Sequence, residues 1–141
     1  METLQELKGK FVDGGTIRFG DDVLVGPGCT FVTVNHALEP ERRLAGVMQC
    51  KGITVGNNVW FGGGVKVLPG VTIGDNSVIG AGSVVTKDIP SNVVAVGNPC
   101  KVMREIGQHD REYYWRNRKI APELFEELEA FQPGIKISDI F

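Results

Sequence analysis

Two runs in one six-residue phase are apolar and bulky: Phe19, Val25 and Phe31, then Val55, Phe61, Val67, Ile73, Ile79 and Val85. The residue that follows is glycine at Gly20, Gly26, Gly56, Gly62, Gly74 and Gly80. Four places after each leading residue stands a small or β-branched one, as at Val23, Cys29, Val59, Val65, Val71, Ser77 and Ser83. A helix would show a period of 3.6, and a hairpin sheet would show period-2 runs broken by loops. A sustained period of six predicts an all-β chain wound as a parallel β-helix. Each hexad supplies one short strand and one corner, and the leading side chains stack inward as a continuous core. Glycine at a corner tolerates positive φ and close backbone approach, and Asn57-Asn58 and Asp75-Asn76 suit tight corners for a similar reason.

The phase survives a gap. Phe31 and Val55 are four hexads apart, yet residues 36–52 (HALEPERRLAGVMQCKG) are polar and charged and break the pattern. They are expected to form a loop extruded from one corner, and long loops in compact repeat domains are usually functional. After Pro90 the repeat closes with VVAVGNPCKVMREI, where Asn98-Pro99 marks a turn. The predicted organisation is a β-helix domain over 1–106 with its extruded loop at 36–52, and a C-terminal extension over 107–141. In the extension, residues 122–131 (PELFEELEAF) predict a short helix with Pro122 near its first turn and Leu124, Phe125, Leu128 and Phe131 on one face. The last residues, IKISDIF, alternate and could add a strand.

Composition narrows the function classes. The chain has 141 residues and a formal net charge of -2. It lacks the basic excess of a nucleic-acid binder. No apolar run approaches the roughly 20 residues of a membrane span, and Met1 to Lys10 has no signal-peptide core, so a cytoplasmic protein is expected. Cys29, Cys50 and Cys100 form no CxxC pair, which argues against a disulfide framework and a zinc site. His36 and His109 are the only histidines, fewer than the three that a zinc hydratase on such a scaffold would need. Gly62-Gly63-Gly64 is a corner run outside any GxGxxG or GK[ST] setting.

The run from Ile53 to Ile106, ITVGNNVWFGGGVKVLPGVTIGDNSVIGAGSVVTKDIPSNVVAVGNPCKVMREI, together with TVNH at 33–36, resembles the hexapeptide-repeat acyltransferases, and within them the maltose and galactoside O-acetyltransferase branch. The resemblance covers roughly residues 16–106. It implies a left-handed parallel β-helix of hexapeptide repeats, with a short C-terminal helix added here, working as a homotrimer. It also implies transfer of an acetyl group from acetyl-CoA to a hydroxyl of a sugar or similar small acceptor, with no metal. By the same resemblance His36 is the general base. An imidazole with an ordinary pKa near 6.5 is suited to removing an alcohol proton at neutral pH. Trp60, outward in the repeat frame, corresponds to an aromatic beside the pantetheine arm, and it could equally pack against an adjacent subunit. Gly62, Gly63 and Ala81 correspond to positions lining that arm, although corners of the coil also explain the glycines. Thr86 and Lys87 correspond to a pair near the coenzyme phosphates, and Lys101 and Arg104 to basic residues near its 3′-phosphate.

Two departures qualify the expectation. The branch carries an N-terminal helical segment and further coils that help form the acceptor pocket and supply an asparagine, and Met1 to Gly15 holds none. The acceptor site is therefore expected to be incomplete on this chain or built differently. The branch also often shows Gly-x-Glu-Tyr in the extruded loop, where this chain reads Gly46-Val47-Met48-Gln49. Glu39 or Glu41 would then have to supply the supporting carboxylate. The competing expectation is a truncated, non-catalytic scaffold that still binds coenzyme A.

Overall fold

The structure is a computed structural model and describes residues 15–124. These divide into two compact units, one ending at Glu105 and one beginning at Ile106.

In the first unit, short strands stack as the six-residue period requires. The first coil carries β1 (Ile17–Phe19), β2 (Leu24–Val25) and β3 (Thr30–Phe31). The chain then leaves through β4 (Val34–His36), α1 (Pro40–Leu44) and β5 (Met48–Cys50). It resumes the coil with β6 (Ile53–Val55), β7 (Trp60–Phe61), β8 (Lys66–Val67), β9 (Thr72–Ile73), β10 (Val78–Ile79) and β11 (Val84–Val85). β12 (Val93–Gly97) and β13 (Cys100–Glu105) close it. The faces of the prism are the parallel ladders β1-β6-β9, β2-β7-β10-β12 and β3-β8-β11, with β13 added antiparallel to β12.

Register shows how the excursion fits. Trp60 pairs with Val78 and Lys66 with Val84, so one coil is 18 residues, or three hexads. Ile17 instead pairs with Ile53, an offset of 36. The chain between β3 and β6 thus adds 36 − 18 = 18 residues, one coil's worth, without disturbing the stack. This length explains why the six-residue phase persists across the gap. The excursion expected over 36–52 is itself structured: β4 and β5 form an antiparallel hairpin around α1.

The inward residues form the core. Ile53, Phe61, Val65, Val67, Ile79 and Val85 are fully buried, and so are Ser77 and Ser83 at the second inward position. Both serines satisfy their hydroxyls on backbone carbonyls, Ser77 on Pro90 at 2.7 Å and Ser83 on Gly80 at 2.6 Å. Phe19, Phe31 and Phe61 continue the core downward as an edge-to-face stack, with centroids 5.2 and 5.4 Å apart. In that outermost described coil Phe19 and Val25 are about half-exposed. The two corner roles expected of glycine turn out to be divided. Gly62 has an ordinary φ, and a Cβ there would lie 2.5 Å from the Ala81 nitrogen, so close approach is what requires it. Positive φ falls at other corner positions, on the glycines Gly28, Gly64 and Gly82 and on Asp22, Asn58, Asn76 and Asn92. The Asn98-Pro99 turn between β12 and β13 is cis.

The second unit contains α2 (Gln108–Glu112) and a hairpin of β14 (Tyr113–Trp115) and β15 (Arg118–Lys119). Its sequence pattern did not announce either. His109 stacks on Tyr113 at 4.2 Å, and Arg116 and Arg118 each lie 5.7 Å from the Trp115 ring. Residues 122–124 are helical. The rest of the helix expected over 122–131, and the strand suggested for IKISDIF, lie outside the described residues.

Candidate active site

The hairpin β4/β5 pairs Val34 with Cys50, Asn35 with Gln49 and His36 with Met48. Side chains alternate along strands, so Val34, His36, Met48 and Cys50 share one face while Asn35 and Gln49 share the other. Met48 and Cys50 are each only 8% exposed, which identifies the shared face as the packed one. His36 lies at its outer end and is exposed. The turn beyond His36 is held at several points. Ala37 N donates to Val47 O at 3.1 Å. The Glu39 carboxylate caps α1, accepting from Glu41 N at 3.1 Å and Arg42 N at 2.9 Å. The Arg43 guanidinium donates to the carbonyls of Ala37 and Leu38 at 3.3 and 3.0 Å. Glu39, a sequence candidate for supporting the histidine, is therefore committed to the helix N-terminus, where two backbone donors need an acceptor.

A second group lies on the β2-β7-β10-β12-β13 sheet. Leu24, Trp60, Val78, Val94 and Arg104 are successive partners across its strands. Their inward neighbours Phe61, Ile79 and Ala95 are fully buried, so this row faces out. Leu24 is 66% and Trp60 52% exposed. Lys101 pairs with Val96 on the same outward face. Trp60 and Arg104 are three strands apart, roughly 14 Å at the usual strand spacing. At the corner after β7, Gly62 N donates to Ile79 O and Gly82 N to Gly63 O, both at 2.8 Å, which stacks Gly62 and Gly63 against the coil that carries Ala81. A Cβ on Gly63 would meet nothing closer than 3.4 Å, so coil packing does not demand glycine there.

Thr86 and Lys87 follow β11 and are exposed. Because Phe31, Val67 and Val85 are in register, Thr86 tops the column Val32–Leu68–Thr86, at the corner where the hairpin departs. The structure thus gathers Trp60, Lys101 and Arg104 on one face, and Gly62, Gly63 and Ala81 at its corner. It does not bring His36 into hydrogen-bond or ring contact with Trp60, Thr86, Lys87 or Lys101 among the described residues. Arg43 and Met48 were not found from sequence. Met48 stood out in sequence only as the residue where the branch often has the glutamate of Gly-x-Glu-Tyr, and the relation of either residue to His36 depends on hairpin register.

Buried Cys100 has its thiol pushed up by desolvation, with a hydrogen bond to Ser83 acting weakly the other way. Among the described residues there is no cluster of three or more metal-ligating side chains and no helix long and apolar enough to cross a membrane.

Comparison with known proteins agrees with this architecture. The family described as bacterial transferase hexapeptide (six repeats) matches residues 52–87. The galactoside O-acetyltransferase of Escherichia coli (strain K12) is 54% identical over 109 residues, which is 77% of this chain and 54% of that protein. A solved galactoside acetyltransferase in complex with coenzyme A superposes with a TM-score of 0.75 at 53% identity, covering 79% of this chain and 56% of that one. The maltose O-acetyltransferase of Clostridium difficile 630 gives a TM-score of 0.52 at 35% identity and covers 74% of each chain. The chain spans about half the length of the curated galactoside O-acetyltransferases it matches. It belongs to the hexapeptide-repeat acyltransferases, in the galactoside and maltose O-acetyltransferase branch, and has their left-handed parallel β-helix fold.

Proposed function

We propose that the protein transfers an acetyl group from acetyl-CoA to a hydroxyl of a sugar or similar small acceptor, with His36 as general base. The observation that carries this reading is the outward row from Trp60 to Arg104, an apolar stripe ending in a guanidinium, with Lys101 beside it. A ligand with an apolar arm and a phosphorylated end fits such a row. Gly63 supports it, since its lack of a side chain has no explanation in the coil. In the reaction His36 takes the acceptor proton as the oxygen attacks the thioester carbonyl. The tetrahedral intermediate then expels the coenzyme thiolate, which recovers the proton from the imidazolium, leaving an ester and free coenzyme A.

We read the protein as a homotrimer in which the cofactor groove lies between neighbours, as the resemblance of residues 16–106 to the family implies. The free cysteines Cys29, Cys50 and Cys100 suit a reducing compartment, and we place the protein in the cytoplasm. One observation favours a second reading, a non-catalytic scaffold that binds coenzyme A: no carboxylate among the described residues hydrogen-bonds to His36.

Thiol release from acetyl-CoA, measured against a panel of mono- and disaccharides with H36A alongside, separates the two. Acceptor-dependent release that falls by about 10²–10⁴-fold in H36A is expected. Retention of more than about a tenth of wild-type kcat/KM by H36A removes the base assignment. Coenzyme binding without turnover in folded protein selects the scaffold.

A further inference from the structure

We infer that Met48 is the positioning residue for His36, an apolar thioether standing where a carboxylate partner could have stood. This rests on the reading of His36 as the base. The two residues are direct partners in the antiparallel pair. Side chains of such partners share a face, with Cβ atoms about 4.5–5.5 Å apart. They differ sharply in burial: Met48 is 8% exposed and anchored in the packed face beside Cys50, while His36 is exposed. The buried side chain is the fixed one, so it forms a wall that limits the rotamers of the imidazole.

Among the described residues, several groups near the ring are occupied or turned away. Glu39 spends both carboxylate oxygens on the cap of α1. Arg43 is bound to the carbonyls of Ala37 and Leu38. Asn35 and Gln49 project from the opposite face of the hairpin. A thioether can serve in their place because sulfur packs favourably against aromatic ring edges and the side chain fills irregular gaps. An imidazole held this way is oriented by packing instead of by an ion pair, and catalysis is sensitive to misplacement on the order of 1 Å.

The test combines kinetics with NMR of the histidine ring protons in wild type, M48L and M48A, each checked for folding by circular dichroism. His36 and His109 are the only histidines, so His109 serves as an internal control. In M48A, kcat is expected to fall about tenfold to a hundredfold with KM for acetyl-CoA within about twofold, and M48L is expected to recover most of kcat. The His36 ring signals in M48A should move toward those of free histidine while those of His109 stay fixed. A folded M48A with kcat within about twofold of wild type overturns the proposal, as does a change confined to KM for the acceptor, which would make Met48 a substrate contact. If wild type itself transfers no acetyl group, the functional reading fails. The ring signals still decide the positioning claim, because unmoved His36 resonances in M48A overturn it without any activity.

Discussion

Trp60 and Arg104 stand in one cross-strand row on the outer face of the β-helix, separated by Val78 and Val94, with a register shift in β12/β13 just beyond the Val94–Arg104 pair. The backbone ladder sets that separation at roughly 14 Å, not side-chain flexibility. If the row carries coenzyme A, its two ends recognise different parts of the ligand. W60A should then weaken acetyl-CoA and its dephospho analogue equally. R104Q and K101Q should weaken acetyl-CoA about tenfold and leave acetyl-dephospho-CoA nearly unchanged, because a charge-assisted hydrogen bond to phosphate contributes about 1.5–3 kcal/mol. Steady-state KM values for the two donors check this. An equal effect of R104Q on both donors would remove the 3′-phosphate assignment.

The adjacent glycines Gly62 and Gly63 separate packing from function. A methyl group on Gly62 would press on the Ala81 backbone at 2.5 Å, and a ladder atom cannot step aside. G62A should therefore destabilise the protein by about 1–3 kcal/mol in urea unfolding. At Gly63 the nearest atom is 3.4 Å away, so G63A should keep wild-type stability while raising KM for acetyl-CoA. Equal destabilisation by both variants would mean that Gly63, too, is only a corner.

Much of this was legible in the sequence because the six-residue period is a direct image of the coil. Phe61, Val67, Ile73, Ile79 and Val85 are buried where the period puts them, and Trp60, one place out of phase, is exposed. What the period cannot encode is where it stops. The 36–52 segment has no repeat, so the pairing of His36 with Met48 and the capping role of Glu39 were invisible. The antiparallel return of β13 on β12 was equally hidden, since nothing in the spacing of Lys101 and Arg104 sets Arg104 opposite Val94. Nor does spacing distinguish a glycine needed for close approach from an asparagine needed for positive φ, because both mark corners.

Asn76 tests that last distinction. Its φ is 61°, its amide donates to Asn92 Oδ1 at 2.8 Å, and its oxygen accepts from Asn58 Nδ2 at 3.3 Å. N76A loses both side-chain bonds and forces a Cβ into the left-handed region without local compensation, for an expected loss of about 1–2 kcal/mol. N76G loses the same bonds but adopts that φ freely, so it should be the milder variant despite the added entropy of the unfolded chain. If chemical denaturation ranks N76G below N76A, the left-handed φ costs alanine less than the added unfolded-chain entropy costs glycine, and backbone conformation is not what the asparagine serves.

Cys100 gives the fold a dependence on alkaline pH. Burial raises its thiol above the ordinary range, near 8.5, and the bond to Ser83 offsets only part of that. Between the ordinary and the raised value the unfolded chain has released its proton while the folded chain still holds it, so rising pH favours unfolding. Stability from this residue is complete below about pH 8.5 and is lost as pH climbs through the folded-state value, with a slope of at most about 1.4 kcal/mol per pH unit for one proton. C100S puts a smaller hydroxyl in place of the thiol and cannot titrate in this range. Urea midpoints measured from pH 7.5 to 10 should fall more steeply for wild type than for C100S, with the curves diverging above about pH 8.5. Parallel curves would show that the buried thiol ionises in the folded state as readily as in the unfolded one, and would remove Cys100 from the alkaline response.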